Sequence, residues 1–178
     1  MNRLSIAAFS GLLVSVLTAQ QQAVDWTLRQ PYAAYSSGVA VHPVSGRPVV
    51  YGGQASVAGT AHLPHLWEWT GSGWLRRIDE PNPGPALAPL LVTDAQRGEC
   101  LLLGASQGGM WTWNGVHWRQ HSFQSIRLGF FSNTSEAAYD ASRGRVVMFH
   151  GWGIRNDTWE WDGIIWKPLP TTVNPGVR

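Results

Sequence analysis

Few groupings in this 178-residue chain have the residue types and spacing to do chemistry. His62 and His65 stand three apart in the stretch Gln54 to Pro64, and Pro64 argues against a helix there. No third ligand sits nearby at metal-site spacing, so the pair reads as a ligand contact and no metal is expected. Cys100 is the single cysteine, which excludes an intramolecular disulfide and a multi-cysteine zinc site. Its setting, Glu99-Cys100-Leu101-Leu102-Leu103, is that of a small buried hydrophobe and not of a nucleophile. No Gly-x-Ser-x-Gly elbow is present. No two carboxylates stand out as the pair that glycoside hydrolysis needs. Asp94, Asp140 and Asp162 fall at turn positions, and Glu68 and Glu160 fall between tryptophans on what is expected to be the outward strand face; all five are expected to be structural or solvated. No catalytic residue and no cofactor are expected. Trp152 and Arg155 remain, in the loop Gly151 to Asn156. An aromatic ring and a guanidinium on a loop of a rigid scaffold suit a ligand contact.

The elements that position these residues follow from composition and repetition. The chain has 11 Trp, 20 Gly and 11 Pro, and only 13 % charged residues, about half of the ~25 % usual in globular domains. That balance excludes a disordered chain. Net charge is +2 with no Lys/Arg run, so no nucleic-acid partner is expected. Residues 1–19 read as a secretory signal: Arg3 at the start, an apolar run from Ile6 to Leu17, and a small-residue cleavage site ending at Ala19. The apolar run falls short of the ~20 residues a bilayer span needs. A secreted or periplasmic location, with no membrane partner after signal cleavage, is the expectation.

Three segments fit W-x-W-[TND]-G-x-x-W without gaps: Trp67 to Trp74, Trp111 to Trp118 and Trp159 to Trp166. They hold nine of the eleven tryptophans. Each follows a second aligned element of apolar strand, turn, apolar strand and glycine: Ala40 to Gly53, Val92 to Ala105 and Ala138 to Gly151. Gly46, Gly98 and Gly144 close the turns, where a positive φ suits glycine. Each unit therefore holds four short strands, over about residues 35–80, 86–123 and 134–170 of a segment spanning 24–178, with one extra N-terminal strand at Trp26. A two-residue loop at Asp162-Gly163 would pair Trp159 with Trp166, and likewise Trp111 with Trp118 and Trp67 with Trp74.

This pattern resembles the kelch-type β-propeller blade, most closely in bacterial secreted kelch-like proteins and the galactose oxidase central domain. Unit three carries it best: Asp140, Arg143, Arg145, Val146, Val147, Phe149 and Gly151, then Asp157-Thr158-Trp159-Glu160-Trp161-Asp162-Gly163 and Trp166. The resemblance implies an all-β fold of four-stranded antiparallel blades. It implies a secreted, non-catalytic scaffold binding a protein or glycan, or else a fragment of an extracellular propeller enzyme, glycan-active or galactose-oxidase-like. The oxidase's Tyr–Cys crosslink is not carried over, because Cys100 falls inside a predicted second strand. Propellers usually have 4–8 blades, so three blades are expected to be part of a longer propeller or a half-ring that forms a homodimer.

Overall fold

The computed structural model of the chain describes residues 36–55, 61–121, 135–150 and 157–172. The extra strand expected at Trp26 and the signal segment lie outside them. The described residues form twelve strands and no helix. The first blade is β1 (Gly38–Val41), β2 (Pro48–Tyr51), β3 (Leu66–Trp69) and β4 (Trp74–Arg77). The second is β5 (Ala86–Asp94), β6 (Glu99–Ala105), β7 (Met110–Trp113) and β8 (Trp118–His121). The third is β9 (Ser135–Asp140), β10 (Arg145–His150), β11 (Asp157–Trp161) and β12 (Trp166–Leu169). Each blade is a four-stranded antiparallel meander in chain order. The fold is all-β, with the sheets arranged like blades.

The turns explain why the chain reverses where it does. Gly46, Gly98 and Gly144 have φ of +66°, +68° and +62°, which a side chain would strain. In the last hairpin of the third blade, Asp162 Oδ1 accepts hydrogen bonds from the Ile164 and Ile165 amides, both at 2.9 Å. Asn114 Oδ1 does the same for the Val116 and His117 amides at 3.0 Å. These caps build a four-residue loop, and that corrects the expected tryptophan pairing. Trp69 pairs with Trp74, Trp113 with Trp118 and Trp161 with Trp166. Their rings meet at 5.5, 6.3 and 5.8 Å between centroids.

Pairing also fixes which residues share a face. The upstream face of a blade, turned toward the preceding blade, carries its tryptophans. Trp111, Trp113 and Trp118 pack with Val49, Tyr51 and Leu66 of the first blade. Trp161 and Trp166 pack with Val92, Leu101, Leu103 and Met110 of the second. Cys100 is buried in the first of these layers, and burial pushes its thiol up to about 12, as suits a hydrophobe and not a nucleophile. Polar ties cross the same interfaces. Thr93 Oγ1 donates to Val41 O at 2.7 Å, and Arg77 Nη2 donates to Gly115 O at 2.9 Å.

Glu68 does not lie on an outward face, contrary to expectation. It is 5 % exposed, with Arg47 at 3.5 Å and Arg77 at 3.7 Å. It occupies the face of β3 that turns toward the second blade, and the two guanidiniums, from other parts of its blade, compensate its charge there. Glu160, at the aligned position, is partly buried beside Arg143 and Arg145.

The turn carboxylates make stability acid-sensitive. The Ser142 hydroxyl and Arg143 hold Asp140 at about 2. Burial acts to raise Asp162, but the Ile165 and Ile164 amides and Lys167 outweigh it and hold that group at about 2 as well. Both folded values lie below the unfolded value of about 3.9. Their contribution is therefore complete above about pH 5 and lost as pH falls from about 4 toward 2. Thermal melts across a pH series should show a midpoint that is flat down to about pH 5 and then falls. Asp162→Asn should flatten part of that fall.

Candidate functional site

The meander order puts the starts of β1, β5 and β9 at the same end of the molecule as the connections between second and third strands. At this end β5 runs between β1 and β9, and the three first strands wall a cavity of about 460 Å³. Its polar lining comes from Ser36 and Ser37 at the entry to β1 and from Ser135 and Glu136 at the start of β9. Pro89, Leu90 and Leu91 of β5 supply the apolar side. The volume lies within the ~300–1,000 Å³ of small-molecule sites.

Three features mark this wall, and the first two are found nowhere else among the described residues. Ser36 has a φ of +59° and Ala88 one of +48°, the only non-glycine residues among those described with positive φ. The Ala88 amide donates to Ser36 O at 2.8 Å, so the two left-handed residues are fastened together. They occupy the same place in their repeats, two residues before the aligned Gly38 and Leu90. Such conformations cost about 1–3 kcal/mol each and cluster at functional sites. The β5–β6 pairing also shifts register between Ala86 and Leu90, and bulges of this kind recur beside binding sites. The third feature is Ser135. It is 9 % exposed, and its buried Oγ has no hydrogen-bond partner. Ser37, at the aligned position, donates its hydroxyl to Gly52 O at 3.2 Å. One cavity serine is thus satisfied within the protein and the other is not.

Gly38 allows the wall to close. A Cβ there would come within 2.7 Å of Pro89 O and 2.8 Å of Leu91 Cβ, so only glycine lets β1 approach β5 this closely.

Of the sequence-predicted ligand contacts, the two histidines fall elsewhere. His62 is exposed and bridges to Gln54, and His65 accepts from the Gly52 amide through its backbone oxygen at 3.1 Å. Burial, then the nearby Arg76, lowers the His65 pKa. Neither histidine lines the cavity. Trp152 and Arg155 lie outside the described residues. The cavity residues themselves were not singled out in the sequence. The available signal was the run Ser36-Ser37-Gly38, polar and small where the second repeat has Ala88-Pro89-Leu90.

No protein-family model matches the chain. No curated protein matches it either. Among solved structures it is similar to a fungal alcohol oxidase of the AA5 family solved in complex with copper, with a TM-score of 0.51 and 16 % identity. That match covers 79 % of this chain and 31 % of the oxidase chain, so this chain spans under a third of its neighbour's length. At such identity the likeness speaks for the fold alone, and it agrees with a propeller-like arrangement of the sheets.

Proposed function

We propose that this chain is a secreted, non-catalytic scaffold of kelch-like blades that binds a glycan in the cavity between its first strands. The observation that carries the reading is the unpartnered, buried Ser135 hydroxyl at a wall built from two fastened left-handed residues. Serine hydroxyls and the Glu136 carboxylate are suited to the hydroxyls of a sugar, and the Pro89 to Leu91 side is suited to its apolar ring face. Trp152 and Arg155, and His62 and His65 at the same end, are proposed as peripheral contacts to a longer glycan.

A segment of an extracellular oxidase or glycan-active enzyme is the second reading, favoured by the likeness to the AA5 oxidase. Copper does not fit the residues at hand: among those described, no three His, Cys, Asp or Glu side chains converge to hold a metal ion. Cys100 is sealed between two blades.

Calorimetric titration with an oligosaccharide panel tests the first reading. Ser135→Ala should weaken binding roughly 2- to 10-fold, as a lost hydrogen bond of about 0.5–1.5 kcal/mol implies. It should leave stability unchanged or raise it, because it deletes an unsatisfied buried hydroxyl. Equal binding by Ser135→Ala and Glu136→Ala, or no binding of any sugar, overturns the assignment.

A further inference from the structure

We propose that Asn114 is a self-modifying site: its turn drives the side-chain amide to cyclise onto the Gly115 nitrogen with loss of ammonia, so that the second blade gains a carboxylate. This does not depend on the glycan reading.

Asn114-Gly115 is the only Asn-Gly dipeptide in the chain. Thr70, Asn114 and Asp162 hold one repeat position, each followed by glycine, and each caps its hairpin with a side-chain oxygen. Of the three, asparagine alone carries a neutral leaving group, ammonia, on a carbonyl carbon. The glycine after it is fixed by packing. Gly115 has a φ of +96°, and a Cβ on it would stand 2.8 Å from Cε1 of the first blade's His42. The contact between blades thus keeps beside Asn114 the one residue whose nitrogen no side chain shields.

Three groups of the turn face the reacting amide. The Val116 and His117 amides both donate to Asn114 Oδ1 at 3.0 Å. They hold the side chain against the backbone and stabilise the negative charge that develops on that oxygen, as paired N–H donors do in an oxyanion hole. Asn114 Nδ2, the leaving nitrogen, donates to His117 Nε2 at 3.2 Å. Asn114 and His117 are both exposed, so water reaches the site. In the reaction the Gly115 nitrogen gives its proton to solvent and bonds to Asn114 Cγ. Nδ2 then becomes a basic amine, and the His117 ring delivers the proton with which it leaves as ammonia. The bond from Cγ to Nδ2 breaks and a succinimide remains. Water adds to either of its carbonyls and yields aspartate or isoaspartate.

The third blade shows that the aspartyl product fits. Asp162 accepts from the same two turn positions and pairs with Lys167 Nζ at 2.9 Å. Arg119 takes the place of Lys167 in the second blade. The isoaspartyl product instead adds a methylene to the backbone before Gly115. Gly115 O accepts from Arg77 Nη2 at 2.9 Å, so this product displaces a tie between the first two blades.

The full chain, incubated folded at neutral pH in ¹⁸O-labelled water, tests this. Trypsin releases residues 98–119, whose only asparagine is Asn114. Mass spectrometry reads loss of the amide and uptake of one labelled oxygen. The folded chain should convert about tenfold or more faster than the same chain in guanidinium chloride or a synthetic peptide of residues 111–118, because only the fold aligns the two oxyanion donors. His117→Ala, checked as folded by near-ultraviolet circular dichroism, should convert more slowly and recover part of its rate in added imidazole. Asn114→Asp should melt like the wild type, and isoaspartate-enriched protein should melt lower. A folded chain that converts no faster than the peptide would overturn the proposal, because the turn would then protect the amide. A His117→Ala variant with the wild-type rate would overturn it as well.

Discussion

Trp113→Ala is expected to lower stability by about 4 kcal/mol, within the ~3–5 kcal/mol of buried Trp truncations. Trp113 is fully buried between the first and second blades. Its ring lies 4.8 Å from that of His42 and 6.3 Å from that of Trp118, and the Arg77 guanidinium stands 5.6 Å from its centre. Its Nε1 also donates to Asp79 Oδ2 at 2.9 Å, so truncation takes one partner from Asp79, which keeps Arg77 at 3.3 Å. Neighbouring blades cannot collapse into the void, because each is held by its own hydrogen-bonded ladder. At this chain length the loss corresponds to a fall of roughly 10 °C in the thermal midpoint. Trp69, at the aligned position in the first blade, is partly exposed. Trp69→Ala should cost less than half as much. Chemical denaturation of both variants measures the contrast, and equal losses would refute the assigned difference in packing.

Arg97→Ala should cost about 3 kcal/mol, the low end of the range for breaking a buried ion pair. Asp94 is 1 % exposed, and Arg97 Nη1 donates to both its oxygens, at 3.1 and 3.0 Å. Removing the guanidinium leaves that carboxylate buried and without its counter-ion. It also deletes the hydrogen bond from Arg97 to Asp162 O, a tie from the second blade to the third. The figure sits at the low end because Arg97 itself is 24 % exposed, which lets water reach the pair. The double variant Asp94→Asn/Arg97→Ala should recover part of the loss, since an amide in place of the carboxylate removes the stranded charge. Denaturation at neutral pH reads both, and a double variant no more stable than the single one would contradict the electrostatic cause.

Much of this fold was legible in the sequence because its signal is local and repeated. The W-x-W motif, the turn glycines and the apolar runs each lie within a few residues of one another, so four strands per unit could be read directly. The hairpin register was misread because it depends on loop length. Asn114 and Asp162 cap four-residue loops with their side chains, where Asn-Gly and Asp-Gly dipeptides suggest two-residue ones. Glu68 was misread because its compensating charges, Arg47 and Arg77, come from other parts of the blade. The cavity was invisible for the same reason on a larger scale: its walls come from three repeats, and no single repeat contains it. The contacts expected at His62 and His65 came from residue type, whereas the cavity is marked by backbone conformation.

The most direct measurement is a crystal structure of the full chain soaked with the best-binding oligosaccharide from the panel. The expected result is sugar density in the cavity, with a sugar hydroxyl in hydrogen-bond reach of Ser135 Oγ and another near Glu136. Sugar density confined to the outer strands or to the loops, with the Ser135 hydroxyl still unpartnered, would contradict it.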